Sequence, residues 1–164
     1  MAIRIDETDV RPMSRSAHGV KAITLRGDDS VVSMARERKG ASLLTVTENG
    51  YGRRTALDEY RMQSRGGLGL TNYKVDAEHG DVCGIKVVDE SDDLMFISSD
   101  GVIIRTGVEE IRECGRGSQG VIVMRTGEDV KVISIARTDK EEEDPAEAEE
   151  ETAESAENAE STEE

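Results

Sequence analysis

The chain has 164 residues, with one Phe, three Tyr and no Trp, and a formal net charge of −15. So few aromatic residues leave Val, Ile, Leu and Met to fill a core, which favours strands, and no stretch reaches the roughly 18–20 apolar residues of a membrane-spanning helix. The charge is uneven: residues 140–164 hold 13 Asp/Glu and one Lys, so residues 1–139 carry only −3 of the total.

Residues 1–139 suit one domain of ordinary size, and no signal peptide is expected ahead of it. Residues 140–164 contain no aromatic or large aliphatic side chain. They bury too little apolar area to offset ordering entropy and read as a disordered acidic tail. Cys83 and Cys114 lie outside any CxxC or metal-spaced pattern and read as reduced thiols. His18 and His79 have no partnered Ser, Cys or Glu motif and read as loop residues.

The domain repeats itself. Gly19, Gly69 and Gly120 fall at steps of 50 and 51, and on that register the chain divides into units of about 1–38, 39–89 and 90–138. The first unit is incomplete, because residues 1–5 align with the second strand of the others. In the second, residues 43–47 form a strand, 48–50 (Glu-Asn-Gly) a tight turn, and 51–55 the returning strand. A Gly-rich corner at 65–69 follows, then a third strand at 70–75 and a fourth at 82–88. The third unit repeats the series with 94–98, a Ser-Asp-Gly turn at 99–101, then 102–106, a corner at 116–120, 121–126 and 130–136. Asn-Gly and Asp-Gly point to two-residue hairpin turns with both central residues at positive φ. Four strands per fifty residues is the signature of propeller blades, so the fold class is all-β. Just under three blades cannot close a ring of usual size, so the chain reads as part of a larger protein, a split subunit or a fragment needing a partner.

Three arginine columns accompany the repeat. They are Arg15/Arg65/Arg116 at the corners, Arg4/Arg54/Arg105 with Arg53 beside it, and Arg11/Arg61/Arg112. Stacked units would align them as a track of positive charge. An acidic column, Asp9/Glu59/Glu110, and an apolar one, Val10/Tyr60/Ile111, run beside the third set. Two readings stand: the arginines contact a polyanion, or they brace one unit against the next, with the acids as their partners.

The stretch from Thr45 through Gly50, Tyr51, Gly52 and Arg53-Arg54-Thr55, then Glu59-Tyr60-Arg61 and Gln63-Ser64-Arg65-Gly66-Gly67-Leu68-Gly69, resembles the C-terminal domain of bacterial DNA gyrase A. Ile3-Arg4 with residues 10–20, and residues 100–105 with 115–121, are similar to the flanking repeats of that family. The resemblance covers residues 1–138, and an acidic tail is usual in the family. It implies a six-bladed β-pinwheel whose neighbouring blades exchange strands, and which binds and wraps double-stranded DNA around a basic rim. Wrapping presents a crossing of fixed hand to the enzyme core and supports ATP-dependent negative supercoiling. The family's hallmark box is of Gln-Arg-Arg-Gly-Gly-Lys/Arg-Gly type. Residues 63–69 come nearest to it, with Ser64 and Leu68 at two basic positions, and belong to a later blade than the box itself.

On this resemblance the DNA-contact candidates are Arg15, Arg65 and Arg116, then Arg4, Arg54, Arg105 and Arg53; the corner glycines would let a phosphate approach the backbone. The breakage–reunion tyrosine and the ATPase domain lie outside this chain, since Tyr51, Tyr60 and Tyr73 all occupy repeat positions. The chain is therefore expected to be no enzyme alone and to hold no cofactor, ATP and Mg2+ belonging to the holoenzyme. Its partners would be double-stranded DNA, the rest of gyrase A, and gyrase B in a heterotetramer, with no membrane, in the bacterial cytoplasm at the nucleoid. The tail reads either as a solubilising appendage or as an internal DNA mimic. Rival readings are the matching domain of topoisomerase IV, a decatenase, and a protein-binding propeller fragment, whose signature would be an aromatic or apolar rim.

Overall fold

The structure, a computed structural model, describes residues 1–140; the expectations for the tail beyond Lys140 lie outside the described residues. Seven strands form two antiparallel sheets. In the first, β1 (Ser42–Thr47) lies between β2 (Tyr51–Ala56) and β3 (Val82–Val88), and the short β6 (Val121–Ile122) adds to β2. In the second, β4 (Asp92–Ser98) lies between β5 (Ile103–Gly107) and β7 (Val132–Asp139). The central strands are equivalents: each carries an irregularity next to its end, between Val46 and Thr47 and between Ile97 and Ser98.

Alternation along the strands builds the core. Leu44 and Val46 of β1, Leu94 and Phe96 of β4, and Val132 and Ile135 of β7 join Val88, Val108, Ile111 and Met124 in one buried cluster. Residues two apart share a sheet face, so each central strand sends one pair of side chains into the space between the sheets. Each fully buried side chain of this size is worth about 1.5–3 kcal/mol. Cys83 packs against the cluster, and burial pushes its thiol up to about 11, in keeping with an inert reduced cysteine. Residues 1–40 contain no buried residue. Residues 32–38 of the first unit correspond to β3 but form no strand, and Val31, Val32 and Met34 are exposed.

The hairpin turns differ from the two-residue expectation. The Gly50 N–H donates to the Thr47 carbonyl (3.1 Å) and the Gly101 N–H to the Ser98 carbonyl (3.0 Å). Only the glycines have positive φ, +80° and +87°, while Asn49 and Asp100 do not. This is a three-residue loop closed by one left-handed glycine. It spares the side-chain-bearing residues the left-handed region, which costs them about 1–2 kcal/mol.

The predicted third strands shrink and move. Of 121–126 only β6 remains, and of 70–75 only Leu70 makes a bridge. Both pair with the preceding unit. Val121 and Ile122 face Gly52 and Tyr51 of β2, while Leu70 exchanges hydrogen bonds with Ala2 at 2.7 and 2.8 Å. Parallel bridges repeat the pattern at Arg4–Met62 and Arg54–Glu113. The units therefore exchange strands, as the resemblance implied. The corner glycines make this possible. A Cβ on Gly69 would stand 2.4 Å from the Ala2 carbonyl oxygen, and one on Gly120 would stand 2.1 Å from that of Gly52. At Gly69 and Gly120 the lack of a side chain serves a backbone of the neighbouring unit.

Candidate nucleic-acid interface

Each unit makes a short 3-10 turn at one place: Glu7–Asp9, Leu57–Glu59 and Val108–Glu110. The next residue closes the turn with its N–H and then runs extended, with φ/ψ of −108°/99° at Val10, −105°/97° at Tyr60 and −92°/110° at Ile111. Tyr60 and Ile111 are buried at 3% and 2% exposure. In extended chain the following side chain points the opposite way. Arg61 and Arg112 are accordingly exposed, and so is Arg11 after the exposed Val10. None of these three guanidinium groups engages an acceptor among the described residues. Two of the three neighbouring acids are occupied elsewhere. Glu110 accepts from the Gly107 N–H at 3.1 Å, and Glu59 accepts from the Arg116 N–H at 3.1 Å.

The corner column braces units. Arg65 donates from Nε to the Asp9 carbonyl (3.2 Å) and from Nη1 to the Lys21 carbonyl (3.3 Å), yet stays exposed. Arg116 is half-buried; its Nε lies 3.7 Å from Glu59, its Nη1 donates to the Thr71 carbonyl at 3.0 Å, and its guanidinium sits over the Tyr60 ring at 5.7 Å. Both reach back to the acidic turn of the preceding unit. Arg15, at the same place in the first unit, is exposed without a partner among the described residues.

Arg4, Arg54 and Arg105 are spent on the protein. Arg4 donates to the carbonyls of Leu57 and Tyr60, both at 3.1 Å, and pairs with Glu37 at 2.5 Å. Arg54, only 7% exposed, pairs with Glu90 at 3.1 Å, and Arg105 pairs with Asp93 at 2.9 Å and donates to the Asp139 carbonyl at 3.0 Å. Arg53 is 0% exposed. It donates to Thr55 Oγ1 (2.8 Å), to the carbonyls of Arg116 and Ser118 (2.7 Å each), and to the Asn72 carbonyl (2.5 Å) and Oδ1 (3.1 Å). That uses all five N–H donors of a guanidinium. Arg53 and Arg54 thus face the protein interior, and their reading as rim contacts is corrected. A buried cation persists only when its donors are satisfied, and here two of the five acceptors, the Arg116 and Ser118 carbonyls, come from the next unit.

A polar network surrounds Arg53. The Tyr60 hydroxyl donates to Asn72 Oδ1 (2.5 Å), Asn72 Nδ2 donates to Thr45 Oγ1 (3.0 Å), and the Tyr73 hydroxyl donates to the Gln119 carbonyl. Burial raises the Tyr60 phenol above its ordinary value and pushes that of Tyr73 up to about 12. His79 is a loop residue, as expected, but buried: its Nδ1 lies 2.6 Å from Asp76 Oδ1 and its ring 4.4 Å from that of Tyr51. Hydrogen bonds from the His79 backbone and ring hold the Asp76 carboxyl below the usual range. The chemistry of this network is that of a brace.

Sequence reasoning passed over Lys74 and Arg125, which occupy one repeat position and are both exposed without a partner among the described residues. The signal lay in the same register, weakened by Thr24 at the third position. No Phe or Tyr ring is exposed among the described residues, so the aromatic rim of a protein-binding propeller is missing there. Among the described residues no group of three metal-ligating side chains occurs, and no helix is long and apolar enough to cross a membrane.

Blades that lend a strand to their neighbour, with arginines repeated on the outside, define a strand-exchanging β-propeller segment. The chain belongs to the family described as DNA gyrase C-terminal domain, beta-propeller, which matches residues 1–36, 41–89 and 92–139. It is 47% identical over 135 residues to the A chain of DNA gyrase from Salmonella typhimurium, covering 82% of this chain and 15% of that protein. A solved DNA gyrase A C-terminal domain superposes with a TM-score of 0.76 at 28% identity, over 81% of this chain and 45% of that one. The C-terminal domain of DNA topoisomerase IV does so with the same TM-score at 26% identity, over 82% and 42%. The chain spans less than half the length of each of these proteins.

Proposed function

We propose that this chain is a C-terminal portion of a gyrase A protein that binds duplex DNA on its outer surface without reading sequence, and that it helps wrap DNA for negative supercoiling by the whole enzyme. One observation carries this reading: Arg11, Arg61 and Arg112 recur at one place in three units, exposed and free of acceptors among the described residues. Arg15, Lys74 and Arg125 extend the same kind of surface, and Arg65 stays exposed although it donates to two carbonyls. Phosphate contacts at repeat spacing offset the few kcal/mol of bending and release counterions. They position DNA without specifying sequence. Arg116, Arg4, Arg54, Arg105 and Arg53 would act indirectly, by fixing the units that carry the exposed set.

On this reading the chain itself catalyses nothing and holds no cofactor. The ATP-driven isomerase chemistry belongs to the rest of gyrase A and to gyrase B, in the bacterial cytoplasm. The topoisomerase IV likeness keeps a decatenase as the second reading, while the 47% identity to a gyrase protein favours the first. A salt titration of duplex binding tests the proposal. Replacing Arg11, Arg61 and Arg112 together by Glu should weaken binding and lower the slope of log K against log salt by about 3, at roughly 0.9 per lost contact. Unchanged affinity and slope would refute it.

A further inference from the structure

Outside the three arginine columns, residues 35–39 together with Val87 and Arg137 line an open groove beside the connection between the second and third units. We propose that this groove is a second phosphate site, which takes the backbone of duplex DNA. One buried carboxylate, outside the lining itself, holds two of the lining arginines. Asp92, 3% exposed, accepts from Arg38 Nη2 at 2.5 Å and from Arg137 Nη1 at 2.8 Å, one arginine on each oxygen. Arg38 also donates to the Val87 carbonyl (3.3 Å) and lies 3.1 Å from Asp89. Both arginines keep more than a third of their side chains exposed, so they are held in place while presenting unused donors.

Two further cations, Arg36 and Lys39, line the groove, exposed and without an acceptor among the described residues. The remaining acid, Glu37, is already taken by Arg4. Four cations thus face Asp92 and Asp89, leaving the groove positive. Fixed guanidinium forks beside mobile point charges suit a phosphate oxygen cluster. Ala35 and Val87 are the only apolar residues in the lining, and charged side chains make up the rest of it. An open groove also admits a group borne on a long polymer. The repeat hides the site, because the equivalent connection after β3 carries Asp89 and Glu90. The groove arises where the basic connection meets the acidic one.

The inference rests on the DNA-binding reading, and the experiment separates the two. In the full chain, R36E/K39E removes the two unpartnered cations and leaves the Asp92 brace intact. A thermal melt within about a degree of wild type should establish that the fold is kept. Binding to a 30-base-pair duplex should weaken about tenfold, with a salt slope lower by about 2. R61E/R112E, assayed in parallel, probes the repeat column. If that variant loses affinity while R36E/K39E matches wild type or binds more tightly, the groove inference is overturned and the function stands. If neither variant changes, both readings fall. Displacement of DNA by millimolar inorganic phosphate at constant ionic strength, from wild type but not from R36E/K39E, would mark a free-phosphate site and also overturn the inference.

Discussion

Replacing Gly120 by Ala tests the exchanged strand directly, because Gly19 supplies an internal control. The two glycines hold one repeat position with nearly the same backbone, φ of +87° and +81°. A methyl group on Gly19 meets nothing within 4 Å, whereas on Gly120 it stands 2.1 Å from the Gly52 carbonyl oxygen. Gly19→Ala should therefore cost only the left-handed conformation, about 1–2 kcal/mol. Gly120→Ala adds a clash with backbone, which cannot swing away as a side chain can. Relief requires β6 to leave β2, losing the Tyr51–Ile122 and Gly52–Val121 pairs and loosening the hydrogen bond from the Val123 N–H to the Gly50 carbonyl. Two or three net hydrogen bonds at roughly 1 kcal/mol each bring the total to about 3–5 kcal/mol. At about 3 °C per kcal/mol for a domain of this size, G120A should melt about 10 °C or more below wild type and G19A about 3–6 °C below. Thermal unfolding followed by circular dichroism reads both. Equal shifts for the two variants would refute the view that the glycine exists for close approach between units.

Arg53→Ala should lower stability by about 3–5 kcal/mol in urea denaturation, since it strips buried acceptors on Asn72, Arg116 and Ser118 of their donor; an unchanged midpoint would show that the network contributes nothing net. The alkaline limb of stability should carry the mark of Tyr73. Its phenol holds its proton up to about 12 in the fold against an ordinary value of 10.0, so the unfolded chain gives up that proton first and the fold loses stability as pH climbs from about 10 to about 12,. Tyr73→Phe should flatten this part of the wild-type melting profile, and a profile of unchanged slope would count against the buried phenol.

Much of the fold was legible in the residues. The fifty-residue period, the hairpin strands and the Gly-rich corners all follow from local chemistry, namely alternation, β-branched runs and turn residues. The hairpin turn type was misread because Asn-Gly and Asp-Gly serve a two-residue turn and a three-residue loop alike, and only the pairing of Val46 with Gly52 distinguishes them. The third strands were overextended for a related reason: residues 71–75 and 123–126 look extended, but the preceding unit offers them only a short edge.

The arginines divide along the same line. The residue pattern alone establishes three cationic columns, but the acidic column beside Arg11, Arg61 and Arg112 makes them read as structural partners, and only the structure shows them exposed. Which other arginines are buried depends on how the units pack. Two of the three carbonyls that hold Arg53 come from Arg116 and Ser118, 63 and 65 residues further along, and those that hold Arg4 come from Leu57 and Tyr60 in the next unit. An arginine side chain is equally suited to a phosphate and to a cluster of carbonyl oxygens. Whether it meets one or the other depends on where the exchanged strand of the neighbouring unit lies, and that placement is a property of the packed units, which no local pattern encodes.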